Sequence, residues 1–205
     1  MMQSLIIIDN FLNDPHQLRA LALQQAYPAG EKQELYPGYN SKYSQHISGL
    51  DEKISEIVGE QLIPAGGEAH QKFRLALKGQ KGAGGVHIDN NHWTSILYLT
   101  LPENCKDGTH LHRHIPTNTD RAPFWPNEFE KYNAPSPEDL FETVEILLKT
   151  DGCNPDKWEK LLTIPMKFNR MLLFRPQQWH DAGISFGDTP ENGRLVYLNF
   201  YNSAG

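Results

Sequence analysis

Cysteine is scarce in this 205-residue sequence: only Cys105 and Cys153 occur, far apart and outside any Cys-x-x-Cys pair. They read as free thiols in a reducing compartment, with one disulfide left open. Long apolar runs are missing too. Leu5-Ile6-Ile7-Ile8 is too short for a signal-peptide core and has no basic flank. No stretch approaches the roughly 18 apolar residues of a membrane span. A cytoplasmic protein without a membrane partner is the expectation. Positive charge is also short, 19 Lys and Arg against 25 Asp and Glu, for a formal net charge of −6. Phosphate-backbone binding needs a basic footprint, so no nucleic-acid partner is expected. The length suits one domain, 1–205.

The hydrophobic pattern divides this domain. Leu5 to Ile8 reads as a buried strand. Asp14-Pro15 supplies an N-cap and an N1 proline for a helix reaching about Tyr27, and a second amphipathic helix is expected over about Asp51 to Leu62. Residues 1–65 therefore form a helical N-terminal support, with a loop over 28–49. From Phe73 the period becomes two. Strand signals recur at 86–88, 94–101, 109–115, 161–168, 171–174, 184–186 and 195–201, separated by Gly, Pro and Asn turns. The expected fold class is α+β: N-terminal helices packed on a double-stranded β-helix, or jelly roll, over 70–201. Residues 116–160, rich in proline and carrying a helix start at Ser136-Pro137-Glu138-Asp139, form a long helical and loop insertion.

His87-Ile88-Asp89 carries the first chemical signal. On a strand, side chains two apart share a face, so the imidazole and the carboxylate would project together. A third ligand must come from elsewhere, and His180, near the edge of the strand at 171–174, is the candidate. Two histidines and one carboxylate on one face of an ion leave three positions open, as in non-haem iron(II) oxygenases. Arg194, opening the last apolar strand, has the planar fork that grips a carboxylate bidentately.

These residues stand in an ordered series: His87-Ile88-Asp89, Leu97-Tyr98-Leu99-Thr100, Asp107-Gly108-Thr109, Met171-Leu172-Leu173-Phe174, His180-Asp181-Ala182-Gly183 and Gly193-Arg194-Leu195-Val196. Taken together over about residues 70–201, the series resembles the iron(II)/2-oxoglutarate dioxygenases, most closely their prolyl-hydroxylase-like branch. The resemblance implies Fe(II), 2-oxoglutarate and O2 as cofactors and co-substrates. It implies metal binding and catalysis by His87, Asp89 and His180, with Arg194 on the far carboxylate of 2-oxoglutarate and Tyr98 as a further cofactor contact. It also implies release of succinate and CO2. Halogenating relatives lack the carboxylate that Asp89 supplies, so hydroxylation of a small molecule, an amino acid or a protein side chain is the outcome implied.

A competing reading starts from Thr109-His110-Leu111-His112-Arg113-His114, whose three histidines share one strand face. This is similar to the His-x-His of cupins, which would make the chain another metal-dependent enzyme or a non-catalytic small-molecule-binding jelly roll. The cupin glutamate that usually follows is absent from Ile115 to Asp120. His92, His110, Tyr39 and Trp125 are candidate substrate contacts. The insertion and the segment bearing Tyr36, Tyr39 and Tyr43 are expected to form a lid, in a monomer or a homodimer.

Overall fold

A computed structural model describes residues 3–30, 36–123, 126–132 and 136–205. Among the described residues ten strands make two antiparallel sheets. The larger runs β1 (Leu5–Ile8), β8 (Met171–Phe174), β5 (Trp93–Tyr98), β10 (Arg194–Ser203), β4 (Lys72–Ala76) and β2 (Tyr39–Asn40), with β3 (Leu62–Pro64) also on β10. The smaller has β6 (Gly108–His114) between β7 (Trp158–Pro165) and β9 (His180–Asp181).

Period-two sequence in the central strands explains the layering. Leu195, Tyr197 and Tyr201 of β10 point to one side with Leu97 of β5 and Phe73 and Leu75 of β4. There they meet α1 (Pro15–Gln24) and α2 (Leu50–Val58) through Leu18, Ala22, Ile54 and Val58. Asp14 caps α1 by accepting a hydrogen bond from the Gln17 amide, 3.1 Å away, and Gly59 ends α2 in the left-handed region (φ +72°). Val196 and Leu198 of β10 point the other way. They pack with Ile96, Leu172 and Phe174 against Leu111 and Ile164 of the smaller sheet.

The segment after β6 returns through α3 (Pro137–Asp151), capped by Ser136, whose hydroxyl accepts from the Asp139 amide at 3.2 Å. Leu140 and Val144 of α3 pack with Val86, Trp158 and Trp179. This packing sets α3 against Val86 and the Trp158 end of β7. Among the described residues no helix is long and apolar enough to cross a membrane.

Several elements depart from expectation. The 86–88 strand is reduced to a single antiparallel bridge, His87 to His180, closed by amide–carbonyl bonds of 2.9 and 3.0 Å. Residues 184–186 form no strand, and the strand in this part of the chain is instead β9, His180–Asp181. The eight-residue β7 starts three residues before the expected strand, at Trp158, so the insertion ends earlier. β2 and β3 are too short to show a period. Gly183 sits at φ +69°, where an added Cβ would collide with the carbonyl oxygen of Gly108. That close approach lays β9 beside β6, and β9 carries His180.

Candidate metal centre

The two sheets diverge at one end, and the inward rows of the larger sheet line the opening. Thr94 and Ile96 of β5, and Arg194, Val196, Leu198 and Phe200 of β10, form one wall. His87, Asp89, His180, Thr109 and Tyr36 close the same chamber.

Three side chains converge there. His180 Nε2 lies 3.6 Å from Asp89 Oδ2, and His87 Nε2 lies 4.0 Å from Asp89 Oδ1. These separations are too long for hydrogen bonds. One ligand atom from each of the three residues lies within 4.8 Å of the others, near enough to share a divalent ion. The other nitrogen of each ring is engaged: His87 Nδ1 lies 2.9 Å from the Gly85 carbonyl and His180 Nδ1 lies 2.8 Å from the Gln178 carbonyl. A carbonyl only accepts, so each Nδ1 carries the proton and each Nε2 lone pair faces the cluster. This backbone anchoring is what a metal-binding imidazole needs. Asp89 accepts from Thr94 Oγ1 at 3.1 Å and from the Tyr36 hydroxyl at 3.4 Å.

Electrostatics prepare the same set. Burial, and then the neighbouring His180, hold His87 down at about 4. Burial pushes Asp89 up, but the nearby His180 and His87 and the Thr94 hydroxyl outweigh it and keep the carboxyl at about 2. At neutral pH His87 and Asp89 therefore stand deprotonated, as ligands must be. The donor set of two imidazoles and one carboxylate fits a first-row divalent metal with open positions.

Two arginines line the chamber, and they differ. Arg74 is committed to the segment above it: its guanidinium donates to the carbonyls of Pro37, Tyr36 and Gly38 and to Asn40 Oδ1. Arg194 is only 4% exposed, and among the described residues no hydrogen bond or ion pair engages its guanidinium. Burial lowers its pKa, while Tyr98, Asp107 and Asp181, the last of which lines the same chamber, pull the other way. Both of those carboxylates are occupied by histidines. Arg194 is thus a buried cation without an anion. Such a group costs several kcal/mol unless a partner arrives.

The three-histidine face of β6 is built differently. His110 sits between Asp107 Oδ1 at 2.7 Å and Asp181 Oδ1 at 3.0 Å, and His112 Nε2 contacts Asp181 Oδ2 at 2.7 Å. Lys160 Nζ approaches His110 Nε2 at a longer 3.3 Å. His110, His112 and Asp181 are a second cluster near enough to share an ion. Their spacing, however, is that of hydrogen bonds. With carboxylates at both ring nitrogens, His110 is raised, chiefly by its bond to Asp181, toward the doubly protonated form that has no lone pair to give a metal. His114 faces Asp151 and Thr117 at the base of α3.

The remaining sequence candidates are dispersed. Tyr98 is fully buried, its hydroxyl 2.7 Å from Thr109 Oγ1, so Thr109 stands between it and the chamber. His92 joins Glu60 and Arg175 beneath Trp93, away from the chamber. Tyr39 lies in β2 opposite Leu75, and Tyr43 is exposed. Trp125 falls outside the described residues. Tyr36 alone of the three tyrosines reaches the cluster, its ring 4.4 Å from that of His87. Thr94, Thr109 and Arg74 were missed by sequence reading. The inward register of Thr94, two before Ile96, was the available signal.

A model for a family of unknown function, DUF6445, matches residues 1–201. The chain belongs to that family. No curated protein matches in sequence. Among solved structures, the non-heme alpha ketoglutarate dependent carbocyclase SnoK from nogalamycin biosynthesis is similar, with a TM-score of 0.56. The two share 10% identity, over 98% of this chain and 80% of that one. At that identity the likeness is one of fold.

Proposed function

We propose that this member of DUF6445 is an iron(II)- and 2-oxoglutarate-dependent oxygenase of the prolyl-hydroxylase-like type, with its two sheets forming a double-stranded β-helix in one domain. One observation carries the reading: a chamber that holds a metal-spaced His87-Asp89-His180 set also holds a buried, unpaired Arg194. A metal alone would not need that cation. A dicarboxylate that chelates the metal at one end and ends in a second carboxylate satisfies both.

His87, Asp89 and His180 would hold iron, and the bound metal with 2-oxoglutarate and O2 would supply the oxidising power, with succinate and CO2 released. The protein's part is orientation. Gly85 and Gln178 fix the two rings through their carbonyls, and Thr94 and Tyr36 fix the carboxylate. Arg194 would grip the far carboxylate with two parallel N–H donors. Thr109, its hydroxyl set by Tyr98, would donate or accept beside it, so Tyr98 would act through Thr109. Leu198, Val196 and Ile96 make the chamber wall apolar and exclude water from the reacting centre. Asp89 fills the position whose loss accompanies halogenation in relatives, which favours hydroxylation.

The test is succinate formation by purified protein supplied with iron(II), ascorbate and 2-oxoglutarate. Slow, metal-dependent succinate release that disappears in His180→Ala is expected. Metal-replete protein that neither binds nor consumes 2-oxoglutarate would overturn the reading.

A further inference from the structure

The chamber opens outward into a larger cleft, and what lines that cleft restricts the substrate. Tyr36, Ala69, His87, Asp89 and Phe200 border both spaces and form the throat between them. The outer cleft measures about 940 Å³ and is walled on one side by α3. Phe141, 62% exposed, and the half-buried Leu148 of α3 face Val86, Ile88 and Pro123 across it. We infer that this cleft binds a neutral, largely apolar small molecule bigger than a single amino acid, and presents one of its carbons to the throat. The inference rests on the oxygenase reading for the reaction, but not for the binding.

Three observations lead there. The first is size: the volume lies near the upper end of small-molecule sites, about 300–1,000 Å³, well beyond a free amino acid. The second is charge. Among the described residues the cationic side chain lining the cleft, Lys149, is paired with Glu145 at 3.3 Å, while Glu68 and Asp89 add negative charge. Among the described residues no unpaired cation lines the cleft for a carboxylate or phosphate, and desolvating either against apolar walls would be costly. The third separates a small molecule from a peptide. A peptide docking by strand addition would need an edge with free amides. The amides of Val86, His87 and Asp89 along the cleft already donate to the carbonyls of Gly152, His180 and Pro176. The opposite wall is a helix, whose backbone is satisfied internally.

The binding step can be read without iron or turnover. Metal-free protein should enhance the fluorescence of the neutral probe N-phenyl-1-naphthylamine at one site per chain. Phe141→Glu, an exposed position that leaves the core untouched, should weaken that binding about tenfold or more, the scale of losing one aromatic contact and adding a charge beside it. The same variant should bind iron and 2-oxoglutarate like the parent. His180→Ala, which alters the chamber but not the cleft lining, should bind the probe normally, so loss of the metal site and loss of the cleft site are told apart. The inference is overturned if the probe does not bind, if Phe141→Glu binds it unchanged, or if an acidic analogue, 1-anilinonaphthalene-8-sulfonate, binds tighter than the neutral one. It also fails if the productive substrate, found by succinate release across panels of peptides and neutral aromatic compounds, is a peptide.

Discussion

Replacing Arg194 with methionine should do two things that ordinary core substitutions do not combine. The guanidinium is 4% exposed and lacks a counter-ion, so the ligand-free protein bears its desolvation without compensation. Methionine keeps much of the volume and removes the charge. Exchanging an uncompensated buried ion for an apolar side chain of similar size is commonly neutral or stabilising by about 1–4 kcal/mol. The ligand-free variant should therefore unfold at equal or higher urea concentration than the parent. Affinity for 2-oxoglutarate should move the other way. Two charge-assisted hydrogen bonds are lost, and part of their value is offset because the carboxylate is less fully desolvated. The net loss should be about 2–4 kcal/mol, or roughly 30- to 1,000-fold in Kd. Urea melts of chelator-treated protein give the first number. Calorimetric titration with 2-oxoglutarate in the presence of Mn(II) gives the second. Unchanged 2-oxoglutarate affinity would refute the assignment of Arg194. A fall in ligand-free stability of several kcal/mol would show that the guanidinium already has a structural partner.

Other consequences concern neighbouring groups. In metal-free protein His87 titrates at about 4, below the ~6.5 of an unfolded chain. The unfolded state takes up this proton first, so stability held in full above about pH 6.5 should decline as pH falls toward 4, by up to about 3 kcal/mol. Asp89, depressed to about 2, keeps its contribution through that window. Urea midpoints should therefore slope more steeply with pH in the parent than in His87→Gln; parallel slopes would contradict this. Asp181→Asn leaves the buried His112 without a carboxylate and His110 with Asp107 alone, and should cost about 3 kcal/mol, measured by denaturation, while metal stoichiometry stays at one per chain. Thr109→Val should weaken 2-oxoglutarate by about 1 kcal/mol without changing metal content, since one hydroxyl contact is removed and the Tyr98 hydroxyl is left unpaired. Titration calorimetry would reveal it; an unaltered Kd would place the ligand elsewhere.

Much of the layering was legible in the sequence because β5 and β10 alternate strictly between two buried faces, and a period of two survives whatever packs on it. The helix starts at Asp14 and Ser136 could be read for the same local reason, since each cap acts within one turn. Less legible was the backbone around His87. A strand was expected at 86–88, but a single bridge to His180 suffices, because the Gly85 and Gln178 carbonyls hold the two rings. That restraint is tertiary and leaves no periodic trace. Tyr98 shows a similar limit. Its inward register was visible, but not that Thr109, eleven residues on, lies between it and the chamber. The histidines of β6 looked like ligands because sequence spacing cannot show that carboxylates at 107 and 181 stand at their ring nitrogens. Arg74 carries no local sign that its guanidinium ties down the turn that brings Tyr36 over His87, because those contacts span more than thirty residues of chain.

The identity of the metal site has a direct measurement. Crystals grown with Mn(II) as an oxygen-stable stand-in for iron, together with 2-oxoglutarate, should give one anomalous peak per chain. The peak should lie within coordination distance of Nε2 of His87, Nε2 of His180 and a carboxylate oxygen of Asp89, with the far carboxylate of the ligand on Arg194. A peak among His110, His112 and Asp181, or a ligand carboxylate bound elsewhere than on Arg194, would contradict it.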